Sequence, residues 1–527
     1  MKKNKWCLIL LVLITFEAIS QTRQSYLVWF KSSAHENKFI ADFENKFIQA
    51  KKINPNHLIW KIQFDEEQVI SKYTNDTNIK FIQTNHQVSL RNKTPNDPDF
   101  SKQYHLLNNG QNGGKINSDI KASEAWSYYT GGNSYKGDTI VVAIVDAGCD
   151  IEHEDLKENI YINYREIPND GIDNDTNGYI DDYKGYNVVT NSGNISKANH
   201  GTFIAGIIGA KGNNNLGIAG INWNIKMLPI EANTGDEAGV VAAYLYIYDQ
   251  RKLYNQSNGK KGSFIVASNS SFGVFQVKVS DFPIWCAMYD TLGKVGVLSV
   301  GATINNYLDI GNYGDVPSMC ASNFLIMATN SDKNDELNAA GYSKQYIDLS
   351  APATDIFSTE TNNTYDYWSG TSFAAPQIVA TAALLYHVPC SVFSYIYSNF
   401  PDSAALLIKN YILNGVDTIA SHQNKTLSGG RLNIFNSIQL LEQKNCYQLK
   451  INNISDNNTN FIYPNPANNI LYIIYSETEK NRLVSLIDIS GKTILQTDLG
   501  FIDVSSFANG IYFIKIGQVY KKIMIQH

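Results

Sequence analysis

"DTIVVAIVD", residues 138–146, is the stretch on which the reading of this 527-residue chain turns. From Ile140 to Val145 every residue is apolar, with no alternation of polar and apolar positions. A strand with one wet face alternates, whereas a strand covered on both faces does not. The segments downstream continue the theme. "TFIAGIIGA" (202–210) reads as a small-residue helix, "GKVGVLSVGA" (293–302) and "YIDLSAP" (346–352) as further buried strands, and a long helix runs from Ser372 to about His387. Buried strands alternating with helices predict an α/β fold, a mostly parallel sheet flanked by helices, over residues 93–445. Ligands in such folds gather outside the carboxyl ends of the strands, and Asp146 stands at one such end.

The flanks have a different texture, and the length itself calls for two or three domains. Residues 21–92 predict a small α/β unit. "SYLVWFK" (25–31), "HLIWKIQF" (57–64) and "IKFIQTNHQVSL" (79–90) read as its strands, "NKFIADFENKFIQAKK" (37–52) and "EEQVISKY" (66–73) as helices. The polar run "RNKTPNDPDFS" (91–101) follows as a linker. A second polar linker, 446–460, precedes five short strands in 461–527: "ILYIIYS", "LVSLIDI", "KTILQTD", "GIYFIKI" and "VYKKIMIQ", with a turn at Ser490-Gly491. These predict a small β-sandwich. No solenoid-type repeat stands out.

Residues 1–20, "MKKNKWCLILLVLITFEAIS", combine three lysines, a short apolar run and a small-x-small end, the pattern of a secretory signal peptide. The apolar run is shorter than the roughly 20 residues a membrane span needs, so the expected mature protein has no span and is exported. Export permits disulfides. Of the five cysteines beyond the signal, Cys286–Cys320 and Cys390–Cys446 are the expected pairs and Cys149 is left over, though connectivity does not follow from spacing. A net charge of −6 argues against nucleic acid as the main partner.

"SGTSFAAP" (369–376) places Gly370, the hydroxyl of Ser372 and an early Pro376 at one strand-to-helix junction. A serine there is most simply an N-cap. It gains a second meaning from "VAIVDAG" (142–148) and "NHGTFIAG" (199–206), which set Asp146 at a strand end and His200 at a helix start. Acyl transfer needs a nucleophile, a base to take its proton and a carboxylate to hold the imidazole's tautomer. Asp146, His200 and Ser372 supply these in order along the chain.

With these segments, and with "VVAIVDAGCDIEHEDL", "NSSFG" and "IDLSAPATDIFST", the middle of the chain resembles a subtilisin-like serine peptidase of the subtilase family. The resemblance implies that Asp146, His200 and Ser372 form the catalytic triad. It implies that the first domain is a propeptide, chaperone and inhibitor, removed when the zymogen processes itself. It also implies an oxyanion-binding asparagine after the strand in "GVLSVGATINN" (296–306), which is Asn305 by counting, with Asn306 as the alternative. "SNSSFG" (268–273) resembles the edge against which the substrate lies as an added strand, so Ser271, Phe272 and Gly273 are the expected substrate-binding residues. The chain departs from the family at Ala147, Phe203, Gln377 and Ala380, none of them a triad position. Ile304 stands where many relatives carry glycine in the pocket for the residue before the scissile bond, which suggests a shallower pocket.

Two further signals complete the reading. In "NDGIDNDTNGYIDDYKG" (169–185), Asp173, Asp175, Asn177, Gly178 and Asp181 follow the D-x-D-x-N-G-x-x-D spacing of oxygen-rich calcium loops, with Lys184 where an EF-hand's last glutamate would fall. Asp173, Asp175, Asn177 and Asp181 are therefore the expected metal ligands, for a structural calcium ion; the triad needs no catalytic cofactor. "YPNPANNILYI", "IDISGKTI" and "GIYFIKI" resemble the C-terminal sorting domain of the type IX secretion pathway. The chain thus reads as a secreted or cell-surface serine endopeptidase. Its expected partners are protein or peptide substrates, its own propeptide and the type IX secretion machinery. The alternative is a catalytically inactive subtilase-like surface binding protein. An esterase is disfavoured because the G-x-S-x-G elbow is missing.

Overall fold

The computed structural model describes residues 25–43, 47–54, 56–64, 76–85, 93–232, 235–446, 461–463, 467–474, 483–497, 500–516 and 519–527. The expected signal peptide, the second helix of the first domain and almost all of the second linker lie outside these. The chain divides into two compact units, residues 1–93 and 94–527.

In the first unit, strands β1 (Ser25–Phe30), β2 (Phe47–Lys52), β3 (Ile59–Phe64) and β4 (Ile79–Thr84) form one antiparallel sheet in the order β2-β3-β1-β4. Helix α1 (Ser33–Phe43) packs Phe39 on Val28, Phe30, Ile62 and Ile79 of that sheet. The helix stops at Phe43, short of the expected Lys52. "FIQAKK" is instead strand β2, because β3 offers it an edge to pair with from Phe47 to Lys52.

The second unit is built on a nine-stranded sheet. Its strands are β5 (Val141–Asp146), β6 (Tyr186–Asn187), β7 (Lys226–Glu231), β8 (Ile265–Ser270), β10 (Leu298–Ala302), β12 (Leu325–Ser331), β13 (Leu349–Pro352), β16 (Asp417–Thr418) and β17 (Gly430–Arg431). The order is β16-β17-β13-β12-β10-β8-β5-β7-β6, parallel throughout except at β16. All six residues of β5 are buried. Val142 and Ile144 enter one core with helices α2 (Asn199–Gly209) and α5 (Ala375–His387); Val141, Ala143 and Val145 enter another with α3 (Glu237–Ser257) and α4 (Pro283–Lys294). Two apolar faces explain a strand without alternation.

From β5 the chain winds one way to β7 and the other way, through β8, to β10, β12 and β13. The carboxyl ends of β5 and β8 therefore flank the point where the winding reverses, where a crevice must open. Two short antiparallel pairs border it: β9 (Val274–Phe275) with β11 (Asp315–Val316), and β14 (Ile356–Glu360) with β15 (Thr364–Trp368). Cys286 is bonded to Cys320 and Cys390 to Cys446, as expected, while Cys149 is free and buried.

Residues 461–527 form two antiparallel sheets. One contains β18 (Phe461–Tyr463), β19 (Ile470–Ile474) and β22 (Phe501–Asp503); the other runs β21 (Thr493–Thr497), β20 (Val484–Ile487), β23 (Gly510–Ile516) and β24 (Val519–Ile525). β18 and β22 are additions to the five strands read from sequence, three residues each and too short for a pattern to mark. Among the described residues no single helix is long and apolar enough to cross a membrane.

Candidate active site

Asp146 ends β5, and His200 is the second residue of α2. The two elements touch where Gly201 has no side chain: a Cβ there would lie 2.0 Å from the Gly148 carbonyl oxygen. This close approach puts His200 Nδ1 2.8 Å from Asp146 Oδ2. A carboxylate can only accept, so Nδ1 carries the proton and the neutral ring presents the lone pair of Nε2 outward. Burial pulls the imidazole's pKa down, but the hydrogen bond and charge of Asp146 outweigh it and hold the ring above its ordinary 6.5. The second oxygen of Asp146 accepts from the Ala147 N–H at 2.8 Å, so the missing hydroxyl at position 147 leaves the carboxylate with a backbone donor.

Ser372 lies in a 3-10 turn, Thr371–Phe373, that leads into α5. Gly370 before it has φ +156° and ψ 152°, a conformation essentially reserved for glycine. The Ser372 hydroxyl donates to the Ser271 carbonyl at 3.3 Å, and the Ser271 hydroxyl donates to the Ser372 carbonyl at 2.8 Å. His200 and Ser372 share no hydrogen bond, although the imidazole packs on the ring of the next residue, Phe373, at 5.8 Å between centroids. Phe203 explains itself here. It is fully buried, stacked on Trp368 and 4.5 Å from Phe373, an aromatic floor below His200. Gln377 is also buried, and its amide donates to the Phe373 and Pro352 carbonyls. The Ala380 carbonyl accepts from Asn222.

Asn305 meets the same turn from the other side. Its Oδ1 accepts from the Thr371 N–H at 2.8 Å, which leaves Nδ2 as the free donor end of the amide. Ser271, Phe272, Gly273, Asn305 and Ser372 all line one cavity of about 170 Å³, together with Ala302, Thr303, Ile304, Phe275, Thr371 and Asp315. Asn306 does not line it. Asp315 was not singled out by sequence reasoning, since it sits in no motif; only the pairing of β11 with β9 carries it to this wall. A larger cleft of about 550 Å³ opens beside the amino ends of β5, β7 and β8, lined by residues such as Asp138, Arg165, Lys226 and Ser263, and contains none of the expected site residues.

The acidic loop departs from its expected ligand set. Asp173 and Asp175 converge with Glu166, each offering a carboxylate oxygen within 4.8 Å of the others. Asp181 turns away to accept from the Asp170 and Gly171 N–H groups, and Asn177 Oδ1 is taken by the Tyr179 N–H. Asp182 is buried, accepting from Asn163, Asn177, Tyr246 and Gln250. Glu166 lies seven positions before Asp173, outside the spacing that marked the loop.

Residues 137–392 match the profile of the subtilase family. They form a subtilase-family domain. Residues 461–526 match that of a secretion system C-terminal sorting domain, which marks the chain for export and surface attachment by the type IX pathway. Subtilisin-like protease 1 of Plasmodium berghei is 29% identical over 331 residues, 59% of this chain and 51% of that protein. The cell wall-associated protease of Bacillus subtilis is 27% identical over 379 residues, 68% of this chain and 36% of that protein. The chain spans about half the length, or less, of the curated relatives it matches. Among solved structures, the epidermin leader peptide processing serine protease of Staphylococcus aureus superposes with a TM-score of 0.48 at 16% identity, covering 80% of this chain and 99% of that one.

Proposed function

We propose that the subtilase domain is a serine endopeptidase, made as a zymogen and exported. The observation that carries this reading is the Asp146–His200 hydrogen bond at the crevice, with Ser372 in the 3-10 turn whose Phe373 packs on the His200 ring. Ser372 is the nucleophile. Its hydroxyl turns from the Ser271 carbonyl toward His200 Nε2, which takes the proton as Oγ attacks the scissile carbonyl; such bonds are often unformed before substrate binds. Asp146 stabilises the imidazolium, and His200 then returns the proton to the leaving amine. The developing oxyanion is held by Asn305 Nδ2, whose orientation the Thr371 amide sets. Ser271, Phe272 and Gly273 offer the substrate backbone an edge.

Residues 21–92 act as the propeptide, and Glu166, Asp173 and Asp175 hold a structural calcium ion. Glu166 favours that second reading: it is 4% exposed, and its Oε2 has no hydrogen-bond partner. The ion would supply charge neutralisation to the loop and take no part in hydrolysis. The rival reading, an inactive binding protein, has no use for an imidazole held in the basic tautomer. The test is Ser372→Ala: hydrolysis of casein and of short peptides should vanish, the precursor should stay uncut in a protease-free host, and a fluorophosphonate should label the wild type alone. Maturation and activity unchanged in the variant would overturn the assignment.

A further inference from the structure

The cavity beside Ser372 holds one charged side chain, and it is at the pocket wall. Asp315 is 2% exposed, and its Oδ2 accepts from the hydroxyls of Thr303 and Ser318. Among the described residues no donor bonds to Oδ1, and no lysine, arginine or histidine forms an ion pair with this carboxylate. An unpaired buried carboxylate is costly, because desolvation is not offset by a counter-charge. Burial accordingly raises the Asp315 carboxyl above its ordinary range, against the pull of the two hydroxyls. The rest of the lining is uncharged: Phe272, Phe275, Ala302 and Ile304 are apolar, and Ser271, Thr303, Asn305, Thr371 and Ser372 are neutral polar residues. The cavity they enclose has a volume of about 170 Å³. Apolar side chains beside a single carboxylate suit an aliphatic stem that carries a cation at its tip.

Resting on the peptidase reading, we propose that Asp315 makes this pocket select a basic side chain in the substrate residue before the scissile bond. A lysine ammonium supplies the counter-charge that the fold withholds from Asp315, while its methylenes pack between Phe272, Phe275 and Ile304. Ile304 adds a branched apolar side chain to the lining without changing its charge.

The test is hydrolysis of one peptide series by the processed wild-type protein, varied only at that residue: lysine, norleucine (the same chain without the ammonium), arginine, phenylalanine and glutamate. We expect kcat/KM for lysine to exceed that for norleucine by about tenfold or more and that for glutamate by about a hundredfold. In Asp315→Asn, which keeps an acceptor for Thr303 and Ser318, the lysine-to-norleucine ratio should fall to near one; Asp315→Ser serves if the asparagine variant does not fold. Hydrolysis with norleucine or phenylalanine preferred over lysine would overturn the proposal and leave the peptidase reading standing, as would a ratio unchanged in a folded variant. No hydrolysis of any peptide or of casein, with Ser372 unlabelled by a fluorophosphonate, would overturn both.

Discussion

At the scale of single residues, the charge state of His200 governs what the crevice can do. The ring is useful as a base only when neutral, and Asp146 holds its pKa above 6.5. Activity should therefore be lost as pH falls through a value above 6.5, since protonation of Nε2 removes the acceptor. Asp146→Asn removes the charge that raises the pKa and favours the wrong tautomer. We expect kcat to fall by about 10⁴ and the acidic limb of the kcat/KM profile to move to lower pH. An acidic limb that stays put in Asp146→Asn would mean that another group is being titrated. The same scale shows why Ala147, Phe203 and Gln377 are tolerated. One leaves a backbone N–H on the carboxylate, one fills the space under the imidazole, and one ties α5 to the turn that carries Ser372.

Among the elements, the acidic loop between β5 and β6 is the one whose order most needs explaining. Three carboxylates that approach within 4.8 Å repel one another unless a cation intervenes. Calcium, which takes carboxylate and carbonyl oxygens in flexible geometry, fits better than magnesium. A chelator should lower the melting temperature by several degrees and speed self-digestion, with recovery on adding calcium and much less on adding magnesium. Glu166→Gln should abolish that calcium response. A melting temperature indifferent to chelator in the wild type would return the loop to a solvated acidic surface. The D-x-D-x-N-G spacing marked the right loop but not the right ligands. Spacing says which side chains are near one another along the chain, whereas which carboxylates converge depends on how the loop folds back on Glu166.

For the whole molecule, residues 461–527 have a hydrophobic core of their own, with Leu471, Ile473, Leu486, Ile502 and Ile514 at its centre. None of its residues belongs to the two cores around the nine-stranded sheet. A core of its own is what allows a segment to fold apart from its neighbour. Deleting 461–527 should thus leave peptide hydrolysis intact and hold the protein in the periplasm of its native host, as followed by cell fractionation. Normal surface delivery of the truncated chain would contradict the sorting role.

What the sequence determined alone is what depends on local chemistry: buried parallel strands, the order Asp146, His200, Ser372, and the sorting strands. Apolar continuity and turn residues act within a few positions, so they can be read without coordinates. Tertiary structure decided what depends on which ends meet. "FIQAKK" became a strand because an edge was waiting for it. Glu166 joined Asp173 and Asp175 through the folding back of one loop. Asp315 reached the pocket of Ser372 because β11 pairs with β9 across about forty residues of chain, and no local pattern records a contact made at that distance.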